Sequence, residues 1–170
     1  MRGVARMKHR NDDLLLHYFN PPEFGPNKHG RDIDWWPFMA PEVLVRLDVF
    51  RILWGAPVTV SGHVRALGRK NDASNTSDHN VNRHGRVNCA DTFPSGLSTR
   101  EDAERAREAA RQAGFSSIGL YPHWSRPGLH LGVRKGNGGS APMATWGAIQ
   151  RDGQQVYVSW DDALRQLPEG

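Results

Sequence analysis

The stretch SDHNVNRHGRVNCADTFPSG, residues 77–96, sets His79, His84 and Asp91 close together with no apolar periodicity to account for them. A helix or strand that merely packs repeats its oily positions, whereas this segment repeats polar ones. Imidazole and carboxylate at short range make a metal-ligand set. A hydrolytic zinc takes three such protein ligands and leaves a fourth position to water. The stretch offers His79 or His84 together with Asp91, and the third ligand has to come from an adjacent strand. PGLHLGVR supplies one in His130, a histidine inside an otherwise apolar run. A histidine satisfied by its strand neighbours is the competing reading, and spacing leaves the two balanced. The chain has one cysteine, Cys89, which excludes a disulfide framework and a four-cysteine zinc site. Histidine and carboxylate must therefore carry any metal. Cys89 precedes Asp91 by two and points the same way in a strand, where an unliganded buried thiol is the usual outcome.

These residues need elements to hold them. APEVLVRLDVFRILWG reads as a helix, with Pro41 in its first turn, Gly55 at its end, and an apolar face of Val43, Leu44, Leu47, Phe50, Ile52 and Leu53. PVTVSGHV alternates and is β-branched, so it is a strand. Residues 65–82 are polar and loop-like. GRVNCADTFP is a short buried strand that delivers Asp91 and stops at Pro94. Ser98 and Thr99 cap the helix REDAERAREAARQAG, which Gly114 closes. FSSIGLYP, LHLGVR and QVYVSW are strands, KGNGGSAP a turn or loop, and WDDALRQL a short terminal helix. Upstream, residues 1–13 read as a mobile tail. The proline-rich segment after them is a loop anchored by Trp35, Trp36 and Phe38. Trp36, Trp54, Trp124 and Trp146 are core aromatics, with Trp124 also suited to the floor of a cleft. Helices and strands mix without βαβ alternation, which predicts an α+β class: a small antiparallel sheet with flanking helices, in a single domain over 14–170.

Bulk properties narrow the function. A chain of 170 residues buries a real core as one domain. No apolar run approaches the ~20 residues that cross a bilayer, so no membrane insertion is expected. The basic start MRGVARMKHRNDD lacks an apolar segment and a cleavage site, so no signal peptide is expected and synthesis leaves the chain in the cytoplasm. The net charge of +4 and pI of about 9.6 raise nucleic acid as a partner. Lys and Arg are scattered, however, with no basic stripe interleaved with aromatics, and nucleic acid is not expected. The charge suits any polyanionic surface, a bacterial wall included.

The segments VSGHVRALGR, SDHN, WGAPVTVS, GRVNCADTFPSG and IGLYPHWSRPGLHLGVR together resemble the D-alanyl-D-alanine carboxypeptidase and hedgehog-type zinc peptidase superfamily. They are more similar still to its phage-encoded branch, related to the peptidase domains of endolysins. The resemblance runs from about Phe19 to Trp146. It implies a hedgehog/DD-peptidase-like fold, a zinc cofactor, and hydrolysis of peptide stems or cross-links in bacterial peptidoglycan. It also implies synthesis in a host cytoplasm, with action at the wall after release or as a virion component beside other virion proteins. In that family an SxH segment gives the first ligand, an aspartate ending a short strand the second, and a histidine in a later strand the third. Carried over, these are His79, Asp91 and His130. His84 is the reserve for the first, because it meets the six-residue spacing to the aspartate of the family's short form.

An arginine near the substrate carboxylate in the family implies that role for Arg65 or Arg69, whose fork binds both carboxylate oxygens. A solvated surface arginine is the competing reading of each. One departure bears on catalysis. Family members carry an acid three residues before the last ligand, or a histidine or aspartate two residues from it. Here those positions are Pro127, Gly128 and Gly132. The proton-transfer candidates are then His123, in YPHW, and Asp78, beside His79; Asp78 also suits the orienting of a ligand histidine. The same departure supports a second reading, a virion structural or wall-binding module of this fold with its catalysis impaired.

Overall fold

A computed structural model describes residues 11–26, 30–70, 77–133, 135–136, 139–140 and 143–170. The chain enters through two 3-10 turns, Pro21–Phe24 and Trp36–Phe38, that bury Phe24, Trp35 and Trp36. Residues 1–10 of the expected tail lie outside the described residues. Asn11, expected in that tail, is fully buried instead, its Nδ2 donating to the Trp36 and Met39 carbonyls at 2.7 and 3.0 Å. Anchored chain therefore begins by residue 11. Phe38, expected in the aromatic anchor, stays partly exposed.

Helix α1 spans Pro41–Trp54, opened by its proline and closed by Gly55 at φ +77°. That left-handed conformation is one glycine adopts without strain. Its buried stripe is Val43, Leu44, Leu47, Phe50 and Trp54. Ile52 and Leu53, expected on this face, are turned outward, Ile52 to 58% exposure. At 100° per residue Ile52 falls opposite Val43, so Trp54 completes the stripe in its place. Helix α3, Arg100–Gln112, starts on a Thr99–Asp102 capping box. It buries only alanines, Ala103, Ala106, Ala109 and Ala110, against the core. Between these helices, Val81–His84 forms the single turn α2, which starts within the last two residues of the segment expected as loop. The terminal helix α4 covers Trp160–Leu164.

The main sheet is built from β1 (Val58–Val60), β2 (Cys89–Pro94), β3 (Ser117–Tyr121), β4 (Gly128–Gly132), β7 (Ala144–Arg151) and β8 (Gln154–Val158). Its order is β1-β2-β4-β3-β7-β8. The class is α+β, as the mixed pattern implies. The sheet is mixed rather than purely antiparallel, because β3 and β7 run parallel. ATWGAIQ thus joins the sheet as β7, and the glycine-rich segment before it contains β5 (Lys135–Gly136) paired with β6 (Gly139–Ser140). The rest of that segment lies outside the described residues. No helix among the described residues is long and apolar enough to cross a membrane.

Strand alternation sorts β2, β4 and β3 into two faces. Ala90, Leu129, Leu131, Ile118 and Leu120 join the one hydrophobic cluster, which runs from Phe19 to Leu167. The intervening residues face the other way, and register aligns them. Asp91 pairs with His130, His130 with Gly119, and Gly119 with Trp146; Cys89 pairs with Gly132, and Gly132 with Ser117.

Candidate metal centre

That polar face carries the chemistry. Asp91 and His130 are cross-strand partners, so their side chains rise side by side. His79 reaches them from the loop ahead of α2, whose backbone is tied down at several points. Arg69 N–H donates to the His79 carbonyl at 2.8 Å, Asn88 N–H to the Asp78 carbonyl at 3.1 Å, and Asp91 N–H to the Ala66 carbonyl at 2.9 Å. Three donor atoms converge. His79 Nε2 lies 3.2 Å from His130 Nδ1 and 3.6 Å from Asp91 Oδ1, and His130 Nδ1 lies 3.1 Å from Asp91 Oδ1. Ligands about 2.0–2.2 Å from one tetrahedral ion stand about 3.3 Å apart, so this spacing fits such an ion.

The tautomers agree with that fit. His79 Nδ1 contacts the Leu67 carbonyl, which can only accept, so Nδ1 carries the hydrogen and Nε2 keeps its lone pair in the neutral ring. Burial by itself would push the Asp91 carboxyl up, but His79 and His130 beside it hold it well below the usual carboxylate range. Burial likewise opposes charge on His130, and the carboxylates of Asp78 and Asp91 overcome it, raising its pKa to about 9.

His79, Cys89 and His130 are all buried and offer ligand atoms within 4.8 Å of one another, a group able to hold a metal ion. Asp91 and Cys89 are thus the two candidates for the third donor. The Asp91 carboxylate lies within 3.6 Å of both imidazole nitrogens. In the metal-free protein the Cys89 thiol is pushed up by burial and by the charges of Asp78 and Asp91.

The donors sit in a cleft of about 1270 Å³. Tyr121, Trp124 and Trp146 wall one side. Tyr121 and Trp124 stack with centroids 4.1 Å apart, and Trp146 packs over His130 at 5.1 Å while its Nε1 donates to the Tyr121 hydroxyl. Gly119 permits this wall, because a Cβ there would come within 2.6 Å of the Trp146 ring. Burial pushes the Tyr121 phenol far above its ordinary range, with the Asp91 charge adding to the effect. Trp36 and Trp54 are in the core. Arg65 and Arg69 line the cleft, and the Arg69 guanidinium donates to the Arg65 carbonyl at 3.3–3.4 Å.

Of the two first-ligand candidates, His79 is the one at the cluster. His84 Nε2 instead faces the Ser77 carbonyl at 3.2 Å. The structure does not bring His123 to the donors. Its Nδ1 lies 3.0 Å from the Ala148 carbonyl and its Nε2 3.2 Å from Gln155 Oε1, and it is not among the described residues that line the cleft. The turn after β3 aims it at β7, which sits beside β3, and at β8 beyond it, an order that sequence spacing did not reveal. Asp78 is at the site, but behind His130: its Oδ2 lies 3.5 Å from His130 Nε2 and accepts from Ser117 Oγ at 2.6 Å. Sequence reasoning passed over Ser117, Tyr121 and His63. Of these, Tyr121 and His63 line the cleft from segments that already carried family-like motifs.

Comparison of the chain with family models, with curated proteins and with solved structures finds no match.

Proposed function

We propose that the chain is a zinc-dependent peptidase of the endolysin kind, acting on peptide stems or cross-links of bacterial peptidoglycan. The observation that carries this reading is the trio of His79 Nε2, Asp91 Oδ1 and His130 Nδ1, 3.1–3.6 Å apart at one site in a large cleft. Two imidazoles and one carboxylate suit zinc, and zinc held so supplies Lewis acidity, polarising a carbonyl and lowering the pKa of water. Arg65 and Arg69 supply positive charge to a cleft whose described carboxylates are Asp78 and Asp91 alone. Peptide carboxylates fit that balance. The exposed His63 replaces His123 as the candidate for proton transfer. Its Nδ1 accepts from the Arg65 backbone N–H at 3.2 Å, which leaves Nε2 to exchange protons. In this reading the protein is made in a host cytoplasm and meets the wall after release or within a virion.

Amine release from purified peptidoglycan by zinc-loaded protein tests the reading. Release that chelation abolishes and zinc restores is the expected result. One observation favours the second reading, a virion or wall-binding module. Both described carboxylates of the cleft are buried and engaged with His130 or Ser117, so neither stands free as a proton acceptor. Zinc-loaded protein that sediments with peptidoglycan yet releases no amine would select that alternative.

A further inference from the structure

Behind the three donors lies another polar layer. His130 Nε2 is buried and makes no hydrogen bond, and the acceptor it faces is Asp78 Oδ2 at 3.5 Å. That oxygen accepts from Ser117 Oγ. Gly132 makes the space: a Cβ there would stand 2.9 Å from Asp78 Oδ2 and 3.1 Å from His130 Nε2. A side chain at 132 would force the Asp78 carboxylate to shift. Ser117 and Gly132 are themselves register partners across β3 and β4. The sheet therefore assembles notch, hydroxyl and imidazole together, and the loop lowers Asp78 into the notch.

We propose that Asp78 is the positioning residue of His130, its carboxylate taking the Nε2–H and thereby fixing the tautomer whose bare Nδ1 faces His79 and Asp91. This rests on the metal-centre reading above and is independent of the substrate. A neutral imidazole has one nitrogen ready to ligate, and the acceptor at the other nitrogen decides which. His79 follows the same rule with the Leu67 carbonyl as acceptor. For His130 the acceptor is a carboxylate, which also makes the ring a stronger base. A closure of about 0.5 Å brings the pair to ordinary hydrogen-bond distance. The chain of contacts runs serine, aspartate, histidine. In a nucleophilic triad the imidazole stands between the other two, so Ser117 is not a nucleophile here but the holder of Asp78.

Zinc titration against a competing chelator, on parent protein, Asp78→Ala and Asp78→Asn, tests the assignment. Circular dichroism confirms that each variant is folded. Asp78→Ala is expected to weaken zinc binding about 10–100-fold. Asp78→Asn keeps an amide oxygen that accepts from Nε2–H and is expected to recover part of the loss. Nitrogen NMR of the imidazoles in zinc-loaded parent protein gives a readout that needs no variant. Metal on His130 Nδ1 with the proton on Nε2 is the expected pattern. Parent-like zinc affinity in folded Asp78→Ala, or metal on Nε2, overturns the proposal. A parent protein that takes up no zinc overturns the metal-centre reading along with it, whereas a zinc-loaded parent inert on peptidoglycan counts against the substrate reading alone.

Discussion

The two faces of β2, β4 and β3 are made by alternate residues of the same strands and have opposite chemistry. One face, with Ala90, Leu129, Leu131, Ile118 and Leu120, is apolar and closed. The other, with Asp91, His130 and Ser117, is buried too but polar; His79 from the neighbouring loop converges with Asp91 and His130, and Ser117 donates to Asp78. A one-residue slip of β4 against β2 would exchange His130 for Leu131 and mix the two. The hydrophobic face thus fixes the register that builds the site. Stability and function are coupled through register and otherwise separable by residue.

The sharpest break in that comparison is on the polar face. If the proposed function holds, His130→Ala and His79→Ala should each reduce bound zinc from one per chain to near none and abolish peptidoglycan hydrolysis. Elemental analysis of folded protein and amine release check both. Chelation should act next most strongly. Metal that binds only the folded chain adds roughly 4 kcal/mol when free zinc is 1,000 times Kd. Removing it should lower the melting temperature, and zinc should restore it. The reciprocal change on the apolar face is Leu131→Ala, expected to cost about 2–5 kcal/mol in denaturant unfolding while one zinc per folded chain is retained. Loss of zinc from folded Leu131→Ala would show that the faces are not separable.

Acidity gives a smaller, graded effect. In protein stripped of metal, His130 is raised from 6.5 to about 9, so its contribution to stability is full below about 6.5 and lost as pH rises through about 9. Asp91 is held low, so its contribution is present above about 4 and lost as pH falls. In the proposed centre zinc must displace the His130 proton. Apparent affinity should therefore climb about tenfold per pH unit between 6 and 8, which competition titration measures. A flat profile would mean that His130 is not a ligand. Smallest of all, His84→Ala should leave zinc binding within about twofold of the parent, since its ring is turned to the Ser77 carbonyl.

Residue type and spacing made much of this legible. Strand alternation and cap residues read out α1, α3, β2 and β4, and the polar cluster flanking Cys89 stood out because nothing apolar explained it. Register did not read out. The pairing of β3 with β7 is long-range and parallel, and it is what turns His123 toward Ala148 and Gln155. The notch at Gly132 was visible only as a missing acid. Its meaning, room for Asp78, depends on a loop folding over the strand from more than fifty residues away. His79 and His84 could not be ranked by spacing either, because α2 starts between them and rotates His84 away.

X-ray absorption at the zinc edge of the loaded protein, paired with anomalous diffraction from its crystals, tests the central claim most directly. That claim is that the polar face and the His79 loop hold one ion through two imidazoles and one carboxylate. The expected result is a shell of nitrogen and oxygen about 2.0–2.2 Å from zinc, made by His79 Nε2, Asp91 Oδ1 and His130 Nδ1, without sulfur. A sulfur neighbour at about 2.3 Å from Cys89, or zinc held by His84 in place of His79, would contradict it.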